Sequence, residues 1–365
     1  MFRRRLSLRP GNWVRASAAD VRAAFAEQAG WCRALGSRLT AAVCDLLAER
    51  EWPGGEVARR LREWPGDPRP SGDAVPLRLC GGLHAGVRAG TLPALAACYP
   101  PNAMPETERL GAAIDEAMVS PGLAEWLDRP PQTNEVGRSN ALFAGVLAFA
   151  DRFPLPVALF ELGASAGLNL RMDRFGYDLG GLQAGDPSSP LQLKPEWTGP
   201  PPPEAKVDVI GRHGIDLTPL DPLSDGDRLL AFVWADQAQR IAQLEAALKV
   251  AEAQPVTIDT DDAASWIEVK LAEAQPEGTS RLVYHSIAFQ YFPPASQQRV
   301  ASAIERAGQR ANEMTPIGWL RFERTPDEQD PALRLKCWPG SEDHLLATCH
   351  PHGAYINWLG DVPTR

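Results

Sequence analysis

The feature that most constrains the fold is an apolar run that ends in a carboxylate and a glycine-rich turn. Residues 155–160 read Leu-Pro-Val-Ala-Leu-Phe, and residues 161–167 read Glu-Leu-Gly-Ala-Ser-Ala-Gly. A short continuous apolar run is typical of a strand buried on both faces of a parallel sheet. The two glycines allow the backbone to approach a ligand closely, and a helix is predicted to begin near Gly167. The segment therefore predicts a ligand-binding turn after a buried strand of an α/β sheet.

Strand and helix patterns alternate beyond this turn, which predicts a doubly wound, mostly parallel sheet. The predicted strands span residues 229–234, 255–259, 282–285 and 317–322, and the predicted helices span residues 238–251, 262–273 and 296–310. Two further predicted strands, 333–337 and 345–349, flank Pro339-Gly340 and indicate an antiparallel hairpin at the end of the sheet. Residues 176–227 are rich in Pro and Gly, and we interpret them as an insertion of loops and hairpins.

The first 150 residues lack a convincing strand pattern and repeat apolar residues at three- and four-residue steps. Val21, Phe25, Ala29 and Cys32 are an example. This period indicates helices that bury one stripe of side chains. With 365 residues, the chain is long enough for two domains. We therefore predict an all-α cap domain over residues 1–150 and a sheet domain over residues 151–365.

The composition excludes several classes of partner. Lys and Arg total 37 against 46 Asp and Glu, so the formal net charge of −9 gives no overall attraction to nucleic acid or an anionic membrane. No stretch reaches the roughly 18 apolar residues of a membrane span, and the basic start, residues 1–6, lacks the apolar region of an export signal. Six scattered cysteines without a CxxC pair indicate reduced core thiols. We expect a cytoplasmic protein, and its oligomeric state does not follow from the sequence.

The turn resembles the first motif of class I S-adenosylmethionine-dependent methyltransferases, with serine where that family usually has glycine. The resemblance implies a Rossmann-like sheet with an antiparallel C-terminal hairpin, and S-adenosylmethionine as the cofactor. The turn residues that the resemblance implies as cofactor contacts are Glu161, Gly163, Ser165 and Gly167.

The same resemblance implies an acidic residue that binds the ribose after the second strand and another near the adenine after the third. Asp236 follows the predicted strand over residues 229–234, and Asp216 or Asp221 stays open as an alternative ribose-binding acid. Asp261 follows the predicted strand over residues 255–259.

His285 and Ser286 end the next predicted strand, at the edge where parallel sheets bind ligands. His285 is a candidate base for a protonated methyl acceptor, and the alternative is a hydrogen-bonded interior histidine. The candidate residues of the substrate pocket are Ser286, Gln290, Tyr291 and His350. The segment Cys349–His352 supplies too few ligands within tetrahedral reach, so no metal site is predicted.

Residues 163–167 also spell GxSxG, the nucleophile elbow of α/β-hydrolases. An Asp and a late His (His344, His350 or His352) follow Ser165, as the hydrolase chain order requires. That elbow normally follows several strands, whereas helical patterns precede this one. We therefore favour the methyltransferase interpretation and keep two alternatives, a hydrolase and a methyltransferase-like fold that binds a ligand without catalysis.

Six segments together resemble the bacterial family called domain of unknown function 2332, over nearly the whole chain. They are residues 77–84, 131–139, 161–170, 232–237, 285–292 and 350–353. In the polar segment 132–139, Thr133 or Asn134 is suited to cap the following helix. We hypothesise that Arg138 pairs with the methionine carboxylate of the cofactor, with Asn134 or Glu135 nearby. The predicted reaction is methyl transfer to a small molecule or a protein side chain.

Overall fold

The computed structural model describes residues 15–324 and 330–362, and the basic start of the chain lies outside the described residues. The chain forms two compact units. The first comprises Met1–Thr133 and Asp227–Ile241, and the second comprises Asn134–Gly226 and Ala242–Arg365. The boundary therefore lies near residue 134, not 151, and a short later segment returns to the first unit. No helix in the described part of the chain has the length and apolar character to cross a membrane.

The first unit is built from helices around an apolar core. Its elements are α1 (Ala18–Ala34), α2 (Arg38–Glu49), α3 (Glu56–Arg62), α4 (Val75–Arg88), α5 (Pro93–Ala96), α6 (Thr107–Met118), a 3-10 helix (Leu123–Asp128) and α8 (Gly226–Ala231). Ser17 and Asp20 form a capping box at the start of α1, because each side chain accepts a hydrogen bond from the backbone of the other. The core that holds these helices together includes Phe25, Leu47 and Leu83.

The predicted strand over residues 229–234 is wrong. These residues form the end of α8 and a turn, and they belong to the helical unit. Leu229 and Val233 are buried there. A short apolar run does not by itself distinguish a buried strand from a buried helix, which explains the error.

The second unit contains the helices and strands of an α/β fold. Its helices are α7 (Ser139–Arg152), α9 (Ala238–Ala253, which begins in the first unit), α10 (Ala263–Ala272) and α11 (Pro294–Gly308). Its strands are β1 (Val157–Leu162), β2 (Gly176–Leu179), β3 (Leu182–Gly185), β4 (Gln192–Leu193), β5 (Glu196–Thr198), β6 (Val209–Asp216), β7 (Ile258–Thr260), β8 (Ser280–Ser286), β9 (Ile317–Glu323), β10 (Ala332–Trp338), β11 (Asp343–Cys349) and β12 (Tyr355–Trp358). The helices predicted over 238–251, 262–273 and 296–310 are confirmed.

Nine strands form one mostly parallel sheet in the order β5-β12-β11-β10-β9-β8-β1-β6-β7. The five strands from β9 to β7 in this order are parallel. β10, β11 and β12 continue the sheet in antiparallel fashion, and β5 pairs parallel with β12. The predicted hairpin at Pro339-Gly340 is confirmed as β10 and β11, although β12 and β5 extend the sheet beyond it.

The strand order reverses between β1 and β8. From β1 the chain proceeds to β6 and β7 on one side, and then returns to β8 and β9 on the other. Open α/β sheets bind ligands in the crevice outside the carboxyl ends of the strands at such a reversal. Apolar side chains cover both faces, with Ile267 of α10 and Ile304 of α11 in the cluster on one face. On the other, α7 approaches so closely that a Cβ on Gly145 would lie 2.5 Å from Leu320.

The segment interpreted as an insertion, residues 176–227, contributes directly to the main sheet. β2, β3 and β4 form a separate three-stranded sheet, whereas β5 and β6 join the nine-stranded one. The sequence pattern concealed β6 because two glycines and two polar residues, Gly211 to Gly214, interrupt its apolar residues. Gly214 is required by packing, since a Cβ there would lie 2.7 Å from Ile258 and 2.8 Å from Leu170.

Candidate functional site

The turn after β1 stands at the point where the strand order reverses. Three of its residues have positive φ angles: Gly163 (73°), Ser165 (53°) and Gly167 (66°). Glycine adopts this conformation without steric cost, but serine does not, so the conformation of Ser165 is strained. The helix predicted to begin near Gly167 is a short 3-10 helix, Leu168–Arg174. It is followed by β2, not by the long helix that a βαβ crossover would supply.

The end of β6 is bonded to this turn. The amides of Gly163 and Ala164 donate to the carbonyl of Ile215 at 2.9 and 3.0 Å. The amide of Ser165 donates to Asp216 Oδ2 at 2.9 Å, and Asp216 Oδ1 accepts from the Thr218 amide at the same distance. Asp216 is therefore the acid at the end of the strand next to β1.

The other two acids considered for the ribose lie elsewhere. Asp221 is exposed in the loop after β6, where its side chain accepts from the Leu223 amide at 2.9 Å. Asp236 belongs to the helical unit, where its carboxylate accepts from the Ser37 hydroxyl and, at 2.8 Å, from the Leu39 amide. It caps the start of α2 and does not follow a strand. Of the three acids, Asp216 is the one at the end of a strand that pairs with β1, and its role as the ribose-binding acid stays a prediction.

Glu161 is a buried carboxyl group on β1. It is 2% exposed, and the Tyr284 hydroxyl on β8 donates to its Oε2 at 3.2 Å. The pKa of Glu161 is raised to about 8, mainly by burial and also by the nearby charge of Asp216. The Tyr284 hydrogen bond and the charges of Arg171 and Arg138 oppose the rise. The group is therefore mainly protonated at neutral pH, and it can release a proton when a cation comes close.

The polar segment before α7 is bonded to the turn. Asn134 Oδ1 accepts from the Leu168 amide at 2.8 Å, and the Ser139 hydroxyl donates to Asn169 Oδ1 at 2.8 Å. The amide at the start of the 3-10 helix is thus satisfied by a side chain of this protein. Asn134 stabilises the turn directly, which is a different role from the helix cap considered for it.

The same polar segment also contacts the end of β8 and the segment 350–353. Arg138 donates to the carbonyl of Ser286 at 2.9 Å and to that of Pro351 at 3.0 Å. Asn140 donates to the carbonyl of Gly353 at 3.1 Å. Four of the segments that the sequence singled out, 131–139, 161–170, 285–292 and 350–353, are therefore brought together at one end of the sheet. The pairing of Arg138 with a methionine carboxylate stays a prediction.

Both ring nitrogens of His285 are engaged by neighbouring side chains. Trp319 Nε1 donates to His285 Nε2 at 3.2 Å, so this nitrogen is an acceptor, and Nδ1 donates to Glu323 Oε1 at 2.7 Å. His285 is 1% exposed and stacks on Phe289. It is a hydrogen-bonded interior histidine, which is the alternative considered for it, and we assign no proton transfer to it.

The space beside Gly163 is filled by residues that follow β8. A Cβ on Gly163 would lie 2.7 Å from Ala288 Cβ and 3.9 Å from the Phe292 ring. We call residues 287–292 the strap. Within it, Gln290 is exposed and Tyr291 is 66% exposed, so Tyr291 projects towards solvent rather than lining a pocket. The strap therefore covers the side of Gly163 to which a Cβ would point.

The remaining predicted site residues lie in varied surroundings. Asp261 is exposed and accepts from the amide of Asp262, after the edge strand β7. Ser286 is buried at the end of β8. The His350 ring accepts from the amide of His352 at 3.1 Å and packs edge-on against Tyr355. The described residues, 15–324 and 330–362, contain no group of three or more His, Cys, Asp or Glu side chains placed to hold a metal ion.

Ser165 is buried, and no described group forms a hydrogen bond with its hydroxyl. A hydrolase would place a histidine there as the base. His344 instead contacts Asp361 at 3.1 Å, and His350 and His352 contact each other. The hydrolase alternative therefore lacks its nucleophile–base contact in the described structure.

Three residues at the site, Tyr284, Asn140 and Glu323, were not predicted from the sequence. Tyr284 lies inside an apolar strand pattern, and Asn140 lies inside an apolar helix pattern. Glu323 had a usable signal, because it ends the apolar strand β9 as Glu161 stands near the end of β1. A charge in such a place needs donors or a cation, and Glu323 receives three donors.

The described residues define an α/β protein with a large, mostly parallel central sheet and helices. The chain belongs to a bacterial family described as "Uncharacterized protein conserved in bacteria (DUF2332)", whose model matches residues 22–358. This match confirms the family expected from the sequence, whereas the similarity to methyltransferases stays a prediction. No curated protein and no solved structure matches the chain.

Proposed function

We propose that the second unit binds S-adenosylmethionine where its strand order reverses, and that the protein transfers the methyl group to a small molecule or a protein side chain. The observation that supports this proposal is the link between β1 and β6. Glu161, the glycine turn and Asp216 meet at the carboxyl ends of these strands, and the Ser165 amide is bonded to Asp216. This is the arrangement that dinucleotide-type sheets use for a nucleoside.

The chemistry of these residues fits the cofactor in two respects. Each oxygen of Asp216 accepts one amide and has further capacity, so the carboxylate can also accept from ribose hydroxyls. Glu161 is a buried acid whose ionised form a nearby cation would stabilise. The cofactor supplies an electrophilic methyl group on a cationic sulfur. The space next to Gly163 is the observation against the proposal, because Ala288 and Phe292 occupy it and have to move away when the cofactor binds.

The contribution of the chain to the reaction is binding, orientation and exclusion of water. Methyl transfer mainly requires that the acceptor lie in line with the methyl group, so positioning is the main source of rate. Asp216 orients the nucleoside, and Glu161 loses its proton to solvent as the cation binds. No described histidine is assigned as a base, since His285 is engaged on both nitrogens.

A second candidate is a ligand-binding protein with this fold that does not catalyse methyl transfer. The observation in its favour is the strap itself, because Ala288 and Phe292 occupy the space next to Gly163. Serine in place of the usual glycine between Gly163 and Gly167 adds a buried side chain to the turn. The two candidates differ in turnover, not in the location of the site.

Calorimetric titration with S-adenosylmethionine and its demethylated product, S-adenosylhomocysteine, tests the proposal. We expect the wild-type protein to bind both and Asp216→Asn to bind about 10- to 100-fold more weakly, since hydrogen bonds to charged groups contribute about 1.5–3 kcal/mol. Asp221→Asn, in the exposed loop, is the matched control and should bind as the wild type does.

Failure of the wild-type protein to bind either compound would contradict the proposal. Equal loss in both variants would contradict the assignment of Asp216. Binding of both compounds, with no methyl transfer to any of a panel of small nucleophiles and protein lysates, would favour the non-catalytic candidate.

A further inference from the structure

The strap begins in a conformation that needs external support. Ile287 has a φ angle of 46°, although β-branched residues rarely adopt the left-handed region. Its amide donates to the carbonyl of Phe322 on β9 at 2.8 Å, which fixes the residue at the end of the sheet. Strain of this kind persists only where neighbouring contacts determine the backbone, and it occurs often at ligand clamps.

Glu323 holds the first half of the strap. Its Oε1 accepts from the Ala288 amide at 3.0 Å, from the Phe289 amide at 3.1 Å and from His285 Nδ1 at 2.7 Å. Burial opposes the charge, but the interactions with His285 and with the two backbone amides outweigh it and keep the pKa of Glu323 below its ordinary value. An ionised acceptor makes hydrogen bonds roughly twice as strong as a neutral one. His285, whose other nitrogen is bonded to Trp319, orients this carboxylate.

Gln297 holds the second half of the strap from α11. Its side-chain amide donates to the carbonyls of Phe289 and Phe292, both at 2.9 Å. The Phe292 ring is one of the two groups next to Gly163. Two side chains from two different elements thus fix a six-residue segment against the glycine turn.

We propose that Glu323 and Gln297 are positioning residues that hold the strap closed over the glycine turn, and that the nucleoside ligand enters when the strap lifts. We call the hydrogen bonds of Glu323 and Gln297 to the strap the clamp. The identity of the ligand rests on the proposed function, whereas the clamp does not depend on it. The clamp gives His285 and Glu323 a role in access to the site instead of in proton transfer. The clamp also explains why the glycine turn is covered by the strap when no ligand is bound.

Amide hydrogen exchange of the ligand-free protein tests the clamp. We expect Gln297→Ala and Glu323→Gln each to increase exchange about tenfold in a peptide covering residues 286–293. Exchange in a peptide covering residues 163–170 should stay unchanged, because its amides are bonded to Ile215, Asp216 and Asn134 and not to the strap. A peptide from β10 should not change. Glu313→Gln, which removes an exposed partner of Arg152, is the control and should leave all three peptides unchanged.

Gln297 is half-buried on the surface of α11, so its variant should fold even if Glu323→Gln does not. Association of S-adenosylhomocysteine with Gln297→Ala should be about 3- to 10-fold faster than with the wild type. Unchanged exchange of the strap in the folded variants, or association of S-adenosylhomocysteine with Gln297→Ala no faster than with the wild type, would overturn the inference. Exchange that behaves as expected while the wild type binds no S-adenosylhomocysteine would leave the clamp standing and overturn the proposed function alone.

Discussion

Glu161 is a carboxyl group on β1 that solvent does not reach, and Ser165 is a strained residue in the turn that follows β1. Removing a carboxylate from water costs free energy unless donors or a cation compensate, and Glu161 receives one hydroxyl donor. The hydroxyl of Ser165 has no hydrogen-bond partner among the described residues. Buried ionisable groups and strained backbone conformations both destabilise the folded protein, and both are concentrated at functional sites, where a ligand uses the groups concerned. The single residues therefore support a ligand site at this turn.

The raised pKa of Glu161 predicts how stability depends on pH. Because the folded-state pKa, about 8, lies above the ordinary value of 4.5, the folded protein retains a proton that the unfolded chain releases. The free energy of unfolding therefore falls as pH rises from about 5 to 8. Glu161→Gln should remove this part of the dependence and be more stable than the wild type at pH 8, by on the order of a few kcal/mol. Urea unfolding at pH 5, 6.5 and 8 measures it, and parallel curves for the two proteins would contradict the prediction.

The same group predicts proton release on ligand binding. At pH 7 a cationic ligand should shift Glu161 towards its ionised form, so binding of S-adenosylmethionine should release up to one proton. The affinity should therefore rise between pH 6 and 8. Titration in two buffers of different ionisation enthalpy measures the number of protons. The neutral sulfur of S-adenosylhomocysteine provides a ligand control with a smaller release, and Glu161→Gln should release none. Equal release by Glu161→Gln and the wild type would exclude Glu161 as the source.

At the scale of elements, the apolar pattern of each strand decides whether that strand could be predicted from the sequence. The first strand and its turn could be predicted because a buried parallel strand has a continuous apolar pattern and glycines mark the turn. β6 could not, because Gly211 and Gly214 interrupt the pattern, and the need for Gly214 arises from packing against Ile258 and Leu170. The misassigned strand over residues 229–234 follows from the same limit, since local sequence does not show what an apolar run will pack against.

Because Asp236 lies at the start of α2 and not at the end of a strand, its role in stability can be tested. Its carboxylate accepts from the Leu39 amide at the start of α2, where Ser37 makes no side-chain cap of its own. Asp236→Ala should lower the free energy of unfolding by about 0.5–2 kcal/mol, as loss of a helix cap does, and leave cofactor affinity unchanged. Asp45→Ala, also on α2, breaks an exposed pair with Arg33 of α1; it is the control and should lower the free energy of unfolding by less. Weakened cofactor binding with unchanged stability would restore Asp236 to the site.

At the scale of the whole molecule, the chain comprises a helical unit and an α/β unit, and the candidate site belongs to the second. The periodicity of the chain was enough to predict both kinds of unit. It did not show that residues 227–241 return to the helical unit, because helix periodicity does not reveal which core a helix joins. The sequence also did not predict that four of its segments lie together, namely 131–139, 161–170, 285–292 and 350–353. Their proximity depends on contacts between residues far apart in the chain, such as Arg138 and Pro351, which are separated by 213 residues.

A crystal structure of the protein with S-adenosylhomocysteine tests the central claim most directly. We predict that the nucleoside lies at the carboxyl ends of β1 and β6, with its ribose hydroxyls on Asp216 and the strap displaced from Gly163. A ligand bound elsewhere, or one bound with Ala288 and Phe292 still against Gly163, would contradict it.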